Sequence, residues 1–315
     1  MALVLGAIVA DRWFATHRGL VTGLFSAASS GGQLIFLPLV AHLVAGPGWR
    51  TASLAVAFGS LLLVAPVALL MTDGPERAGL RKLGAPPEDP STRSAVLPPL
   101  PPRPQEGAAR TALRVLGEAS RSPVFWVLAG TFFICGWSTN GLIQTHFVPA
   151  AHDHGMPATT SAGLLALIGV FDMVGTVASG WLTDRVDPRF LLFVYYALRG
   201  LALLGVPLLL GPHVAPPLFL FVVFYGLDWV ATVPPTIALC REHFGAVRSG
   251  VVFGWVFASH MVGAGIAAAY AGWIRQAQGD YLTAWLTAGA LCVLAAAAIL
   301  LVPQSRRTRT PVPTS

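Results

Sequence analysis

Charge is the scarcest property of this 315-residue sequence. Only 11% of it is Asp, Glu, Lys or Arg, against about 25% in a soluble domain. With 55% of its residues hydrophobic, water alone is excluded as its solvent. Cysteine is scarce as well. Cys135, Cys240 and Cys292 lie in apolar segments, and their spacing fits neither a metal site nor a disulfide framework, so they read as small buried residues. No dinucleotide fingerprint, phosphate loop or hydrolase nucleophile elbow occurs, so no enzyme class is supported and no metal or cofactor is expected. The net charge of +6 does not indicate nucleic acid. The basic residues form no stripe but sit in short breaks between long apolar runs.

Apolar length is what the sequence has in abundance. A helix needs about 20 mostly apolar residues to cross about 30 Å of hydrocarbon. Eight segments qualify, near 19–45, 51–72, 124–150, 160–183, 190–212, 215–240, 249–274 and 281–303. They predict an all-α, polytopic membrane helix bundle. Residues 1–10, MALVLGAIVA, are too short to cross and lack the basic start of a signal peptide. They read as the tail of a helix that begins before Met1. If successive breaks alternate sides, 17 of the 20 basic residues fall on one side. Arg50 and Arg275 fall on the other, and Arg199 lies within a span. The arginine-rich side is expected to be cytoplasmic.

Residues 73–122, with LPPLPPRP at 97–104, have the composition of a flexible or polyproline-like linker. The expected division is 1–72 as the remainder of an N-terminal bundle, 73–122 as a cytoplasmic linker, 123–303 as a six-helix bundle and 304–315 as a cytoplasmic tail.

The sequence also resembles itself. DRWFATHRG at 11–19 leads into a span containing Gly23, and REHFGAVRSG at 241–250 leads into one containing Gly254. Phe14 and Arg18 are spaced like Phe244 and Arg248, and the loop Gly48-Trp49-Arg50 matches Gly272-Trp273-Ile274-Arg275. Weak internal symmetry is expected of transporters built from two related halves. The offset of about 230 residues would put roughly a hundred or more residues, with three whole spans and most of a fourth, before Met1.

Gly180-Trp181-Leu182-Thr183-Asp184-Arg185, followed by Arg189, resembles the G-x-x-x-D-R loop signature of the major facilitator superfamily, which lies between family helices 8 and 9. Residues 13–43 resemble the family's helix 4–5 loop and helix 5, and Trp49-Arg50 resembles the pair before helix 6. ALIGVFDMVGTVASGWLTDRVD at 166–187 resembles helix 8 of the monocarboxylate-transporter-like branch. The resemblance implies a partial major facilitator fold, from the end of helix 4 through helix 12. One departure bears on substrate. Members of that branch carry an arginine four residues after the helix 8 aspartate, whereas Asp172 is followed there by Thr176.

Charges at membrane depth are costly and are functional candidates. Asp172, Arg199 and Asp228 lie near the middle of spans. One aspartate can neutralise Arg199, which leaves a carboxylate over. A desolvated carboxylate without a partner favours its protonated form, the property a proton-coupled carrier needs. Asp172 is the first candidate and Asp228 the second. Asp172, Thr176, Ser179 and Thr183 share one helical face, as do Asn140 with Gln144, and Asp228 with Thr232 and Thr236. The resemblance places Gln33, Asn140, Gln144, Asp172, Asp228 and His260 around a central cavity and makes Arg199 structural. Interhelical hydrogen bonding would account equally well for the amides. The resemblance also makes Gly180, Asp184, Arg185 and Arg189 a gating loop that latches one access state. Pro234-Pro235 should kink its span. His146, His152 and His154 read as solvated loop residues.

These features point to a secondary active transporter of a small organic solute, a proton-coupled organic anion, working by alternating access in a bacterial cytoplasmic membrane. Its partners would be that solute, protons and the lipid bilayer. The alternatives are a drug–proton antiporter and a non-transporting fragment or misassigned reading frame of such a transporter.

Overall fold

The computed structural model describes residues 2–72, 74–75, 79–85 and 107–304. Among them are twelve α-helices: α1 (Ala2–Trp13), α2 (Arg18–Ala45), α3 (Trp49–Leu70), α4 (Ala108–Ala119), α5 (Pro123–Gly136), α6 (Gln144–Asp153), α7 (Ala158–Thr183), α8 (Pro188–Leu209), α9 (Pro216–Asp228), α10 (Val233–Phe244), α11 (Ala246–Gln278) and α12 (Leu282–Ile299). A π-helical segment, Trp137–Ile143, joins α5 to α6. The described residues form no strand, only an isolated bridge between Phe14 and Leu83. The expected all-α membrane bundle is thus what the chain forms.

Seven of the eight expected spans are helical runs long and apolar enough to cross a bilayer. The eighth, α2, is a continuous helix of 28 residues, about 42 Å at 1.5 Å per residue. Their surfaces suit lipid. Of α3 only Ala52 is buried, while Leu54, Phe58, Leu61 and Leu62 stand out from it.

The chain folds into two compact units. The first contains Met1–Thr111, Phe147–Val186 and Leu208–Pro235. Its core is the packing of α7 against α2 on one side and α9 on the other. Small residues permit both approaches, as is usual where helices associate in lipid. A Cβ on Gly19 would strike the Gly180 carbonyl oxygen, and one on Gly180 the Gly19 carbonyl oxygen. Gly23 likewise abuts the Thr176 carbonyl. On the other face of α7, Gly175 meets the backbone of Leu227, and Gly226 that of Ile168.

The second unit contains Ala112–His146, Asp187–Pro207 and Thr236–Ser315. Here α11 packs on α5 and the π-helical segment through Gly136, Gly141 and Gly263, and α8 meets α12 where Gly200 and Gly289 face each other. α4 is amphipathic. It buries Val115 and Ala119, its Ala112 carbonyl accepts a bond from Trp255 Nε1 at 3.1 Å, and Glu118 bridges Arg248 and Arg114 at 2.8 and 3.1 Å. The hydrogen bond from Arg248, with a smaller contribution from Arg114, holds the Glu118 carboxyl below its ordinary range. The end of segment 73–122 is therefore ordered helix, because its Val and Ala positions fall on one helical face. LPPLPPRP at 97–104 lies outside the described residues.

Gly175→Val inserts a branched side chain against the Leu227 carbonyl. It should cost about 1–3 kcal/mol by overpacking, read as a lowered thermal midpoint in detergent. Gly163→Val, on the same helix but with open space around it, should be nearly neutral.

Candidate functional site

The span 216–244 is not one helix. α9 ends at Asp228 and α10 begins at Val233. Proline explains the break. Pro234 and Pro235 have no N–H to offer the carbonyls of Val230 and Ala231, and their rings crowd those carbonyls. The expected Asp228, Thr232, Thr236 stripe is consequently interrupted. Asp228 closes α9, Thr232 lies in the break and Thr236 in α10, and all three are buried.

The groups freed by the break are taken up. The Val230 carbonyl accepts from Val233 N–H at 2.9 Å, and Trp229 N–H turns back to the Gly226 carbonyl at 3.1 Å. Two more are met by α7. Ser179 Oγ donates to the Ala231 carbonyl at 2.5 Å. Val230 N–H donates to Asp172 Oδ1 at 2.9 Å. The same oxygen accepts from Thr176 Oγ1 at 2.8 Å, and Thr183 Oγ1 donates back to the Ser179 carbonyl at 2.7 Å. Asp172 is 1% exposed. The expected polar face of α7 is therefore present, and it faces a broken neighbouring helix. Sequence reasoning found the face and the prolines but not the bond between them.

A second polar group lies in the other unit. In the π-helical segment the Gln144 N–H reaches back to the Thr139 carbonyl, and Asn140 Nδ2 donates to Gln144 Oε1 at 2.6 Å. Asn140 Oδ1 lies 3.1 Å from His260 Nε2 on α11. Thr139 Oγ1, which donates to the Cys135 carbonyl at 2.7 Å, also reaches that Oδ1 at 3.2 Å. His260 is buried and Gln144 exposed. The structure thus brings three of the predicted residues together. Gln33 lies in α2, but its side chain is outside the described residues.

The gating-loop residues have separate partners. Asp184 accepts the N–H groups of Gly19 and Leu20 at 3.0 and 3.1 Å, satisfying free donors at the start of α2 where the helix dipole favours an anion. Arg185 lies over the Trp181 ring and donates to the Trp181 carbonyl. Arg189 pairs with Asp187 through two side-chain bonds of 3.2 and 2.7 Å and donates to the Val302 carbonyl at 2.8 Å. Sequence reasoning did not single out Asp187. Arg199 is fully buried, with Nη1 3.2 Å from Cys135 Sγ. His146 corrects an expectation. It is no solvated loop residue but is buried between Tyr281 Oη at 3.2 Å and the Ala268 carbonyl at 2.8 Å. The helix continues through Asp153, which carries it inside the bundle. Among the described residues no cluster of ligands could hold a metal ion.

Fold and site define a polytopic membrane protein with a broken transmembrane helix. The family model described as Major Facilitator Superfamily matches residues 1–268, and the chain belongs to that superfamily. The family's members are transporters, not enzymes. The chain is similar to an uncharacterized MFS-type transporter of Bacillus subtilis (strain 168), 26% identical over 300 residues that cover 92% of this chain and 65% of that protein. It is also similar to monocarboxylate transporter 13 of Rattus norvegicus, 28% identical over 295 residues covering 93% and 61%, and to monocarboxylate transporter 12 of Mus musculus, 27% identical over 317 residues covering 96% and 64%. The chain thus spans a little less than two thirds of these relatives' length. Among solved structures, the E. coli fucose:proton symporter shares its fold, with a TM-score of 0.65 at 16% identity over 96% of this chain and 73% of that one.

If Ser179 replaces the donor that proline withholds, Ser179→Ala should cost about 0.6–1.7 kcal/mol in wild type but almost nothing in a Pro235→Ala background, where residue 235 regains its N–H. Unfolding of the four proteins in detergent measures this. Equal costs in both backgrounds would refute the assignment.

Proposed function

We propose that the chain acts within a secondary active transporter that couples a small organic anion to protons by alternating access. The observation that carries this reading is Asp172, a buried carboxylate whose oxygen holds the N–H of a broken transmembrane helix. Protonating that carboxylate would weaken its hold on Val230. The charge state of one residue would thereby be tied to the geometry of α9 and α10. Discontinuous helices near the midplane are where transporters of this kind bind solutes and coupling ions. Asp228 and Gln33 in the same unit, and Asn140, Gln144 and His260 in the other, are the further groups proposed to bind solute or protons, with Arg199 as a structural charge.

Asp184 serves in this reading as a latch. Its bonds to the start of α2 form in one access state and break in the other, with Gly180 giving α2 the room to approach and Arg185 and Arg189 completing the loop. The protein would lie in a bacterial cytoplasmic membrane, with segment 73–122 and the tail 304–315 on the cytoplasmic side, where the arginines concentrate. On this reading 1–72 belongs to the N-terminal bundle and 123–303 forms the C-terminal one.

The relatives named monocarboxylate transporters support an organic anion. Thr176 favours a second reading. Its hydroxyl meets Asp172 at 2.8 Å at the spacing where the similar branch has an arginine, so this helix offers no guanidinium to an anion there. A lipophilic cation exchanged for protons fits that local charge better.

Uptake of labelled carboxylates and of lipophilic cations into proteoliposomes containing the full-length protein, under an inward proton gradient, separates the readings. Carboxylate uptake that follows the gradient and falls at least tenfold in Asp172→Asn is expected. Gradient coupling unchanged in Asp172→Asn would remove Asp172 from its role. Proton-driven extrusion of cations alone would favour the antiporter, and no transport of either class would favour a non-transporting fragment.

A further inference from the structure

The imidazole of His260 carries chemistry that the carboxylates do not. Its Nε2 faces Asn140 Oδ1, an oxygen that only accepts, so Nε2 bears the hydrogen. The other nitrogen, Nδ1, is then a bare acceptor. It is buried without a hydrogen-bond partner among the described residues, on a residue 8% exposed. Phe257 lies nearly parallel to the ring, 9° and 5.4 Å between centroids, and Phe132 lies 5.1 Å away at 43°. A solute has no ready access to a nitrogen enclosed in this way. A proton needs no cavity, and aromatic faces attract the imidazolium that results.

We propose that His260 is a proton-binding site whose charge state is relayed through Asn140 to the carboxamide of Gln144. A hydronium ion gives its proton to the Nδ1 lone pair: one O–H bond breaks, one N–H bond forms, and a water molecule is released. The Nε2–H bond to Asn140 then becomes charge-assisted. That polarises the amide and strengthens the 2.6 Å donation from Asn140 Nδ2 to Gln144 Oε1, as expected of linked hydrogen bonds in a low-dielectric interior. Gln144 is the exposed member of this set, and the donor strength of its amide follows the proton on His260.

The π-helical segment makes this geometry possible. Its wider turn is a rare feature, found mostly at functional sites. Gly136 lets this part of the chain approach the His260 backbone closely enough that a Cβ would collide with it.

α5, the π-helical segment, α11 and α12 carry no carboxylate. α5, the π-helical segment and α12 pack against this stretch of α11. Their titratable residues are Cys135 and Cys292. α8 adds Tyr196 and Arg199, the latter held at Cys135. On α11 itself the nearest are Tyr270 and Arg248, about 15 and 18 Å along the axis. His146 of α6 is tied to Tyr281 and Ala268.

The inference rests on the proton-coupled reading for its use in transport, but its test needs no transported solute. In the full-length protein in lipid nanodiscs, with 15N-labelled histidine and glutamine, NMR should find His260 as the Nε2–H tautomer at alkaline pH. Acidification should produce the doubly protonated ring, and the Gln144 side-chain amide resonance should shift in the same titration. Asn140→Leu should leave the ring titration and abolish the Gln144 response; His260→Gln, which does not titrate, should abolish both. A ring neutral down to pH 4, an Nδ1–H tautomer, or a Gln144 resonance indifferent to the ring would overturn the proposal. A failed uptake assay alongside a positive titration would reject transport while leaving the proton site standing.

Discussion

Backbone N–H and C=O groups cannot be left unpaired in hydrocarbon, where each costs several kcal/mol. The placing of functional groups in this protein follows from that constraint. Two adjacent prolines open a transmembrane helix between Asp228 and Val233, and the groups released there must find partners within protein. α7 supplies them, with Asp172 on the Val230 amide and Ser179 on the Ala231 carbonyl. The glycines follow from the same requirement. Bonds of 2.5–2.9 Å between side chain and backbone require the helices to touch, and Gly175 and Gly226 are where they do.

The second departure from α-helical geometry, the π-helical segment, is handled differently. Here a side chain of the same helical run, Thr145 Oγ1, meets the Asn140 carbonyl at 2.8 Å. The segment sets Asn140 beside His260 and Gln144 in a linked set of hydrogen bonds. The chain thus has one irregular segment tied to a carboxylate and another tied to an imidazole, each within its own compact unit. The loop residue Asp184 is a third case of the same principle. It meets helix N–H groups that have no intrahelical acceptor, which makes the start of α2 dependent on the end of α7.

Much of this could be read from the sequence, and the reasons are physical. Apolar length decides whether a segment spans, so the helices were legible, as was the face carrying Asp172, Thr176, Ser179 and Thr183, because helical periodicity fixes which residues share a side. The G-x-x-x-D-R pattern pointed to the family. Partners across helices were not legible. Nothing in the order of residues says that Ser179 meets Ala231, 52 positions away, or that Arg189 pairs with Asp187 rather than with Asp184. The π-helical segment has no sequence signature comparable to a proline. α4 could not be told from its Pro-rich surroundings by composition, since what holds it is the burial of Val115 and Ala119 and the bonds of Ala112 and Glu118 to α11. His146 read as a loop residue because it lies near the end of an apolar run, where the helix in fact continues.

At the centre of this protein the Asp172 carboxylate holds the Val230 amide across the helix break. Hydrogen exchange at that amide, measured in lipid for wild type and Asp172→Ala, tests this most directly. The Val230 amide should be protected in wild type and exchange at least tenfold faster in the variant, while amides in the body of α9 keep their rates. Equal exchange at Val230 in the two proteins would contradict it.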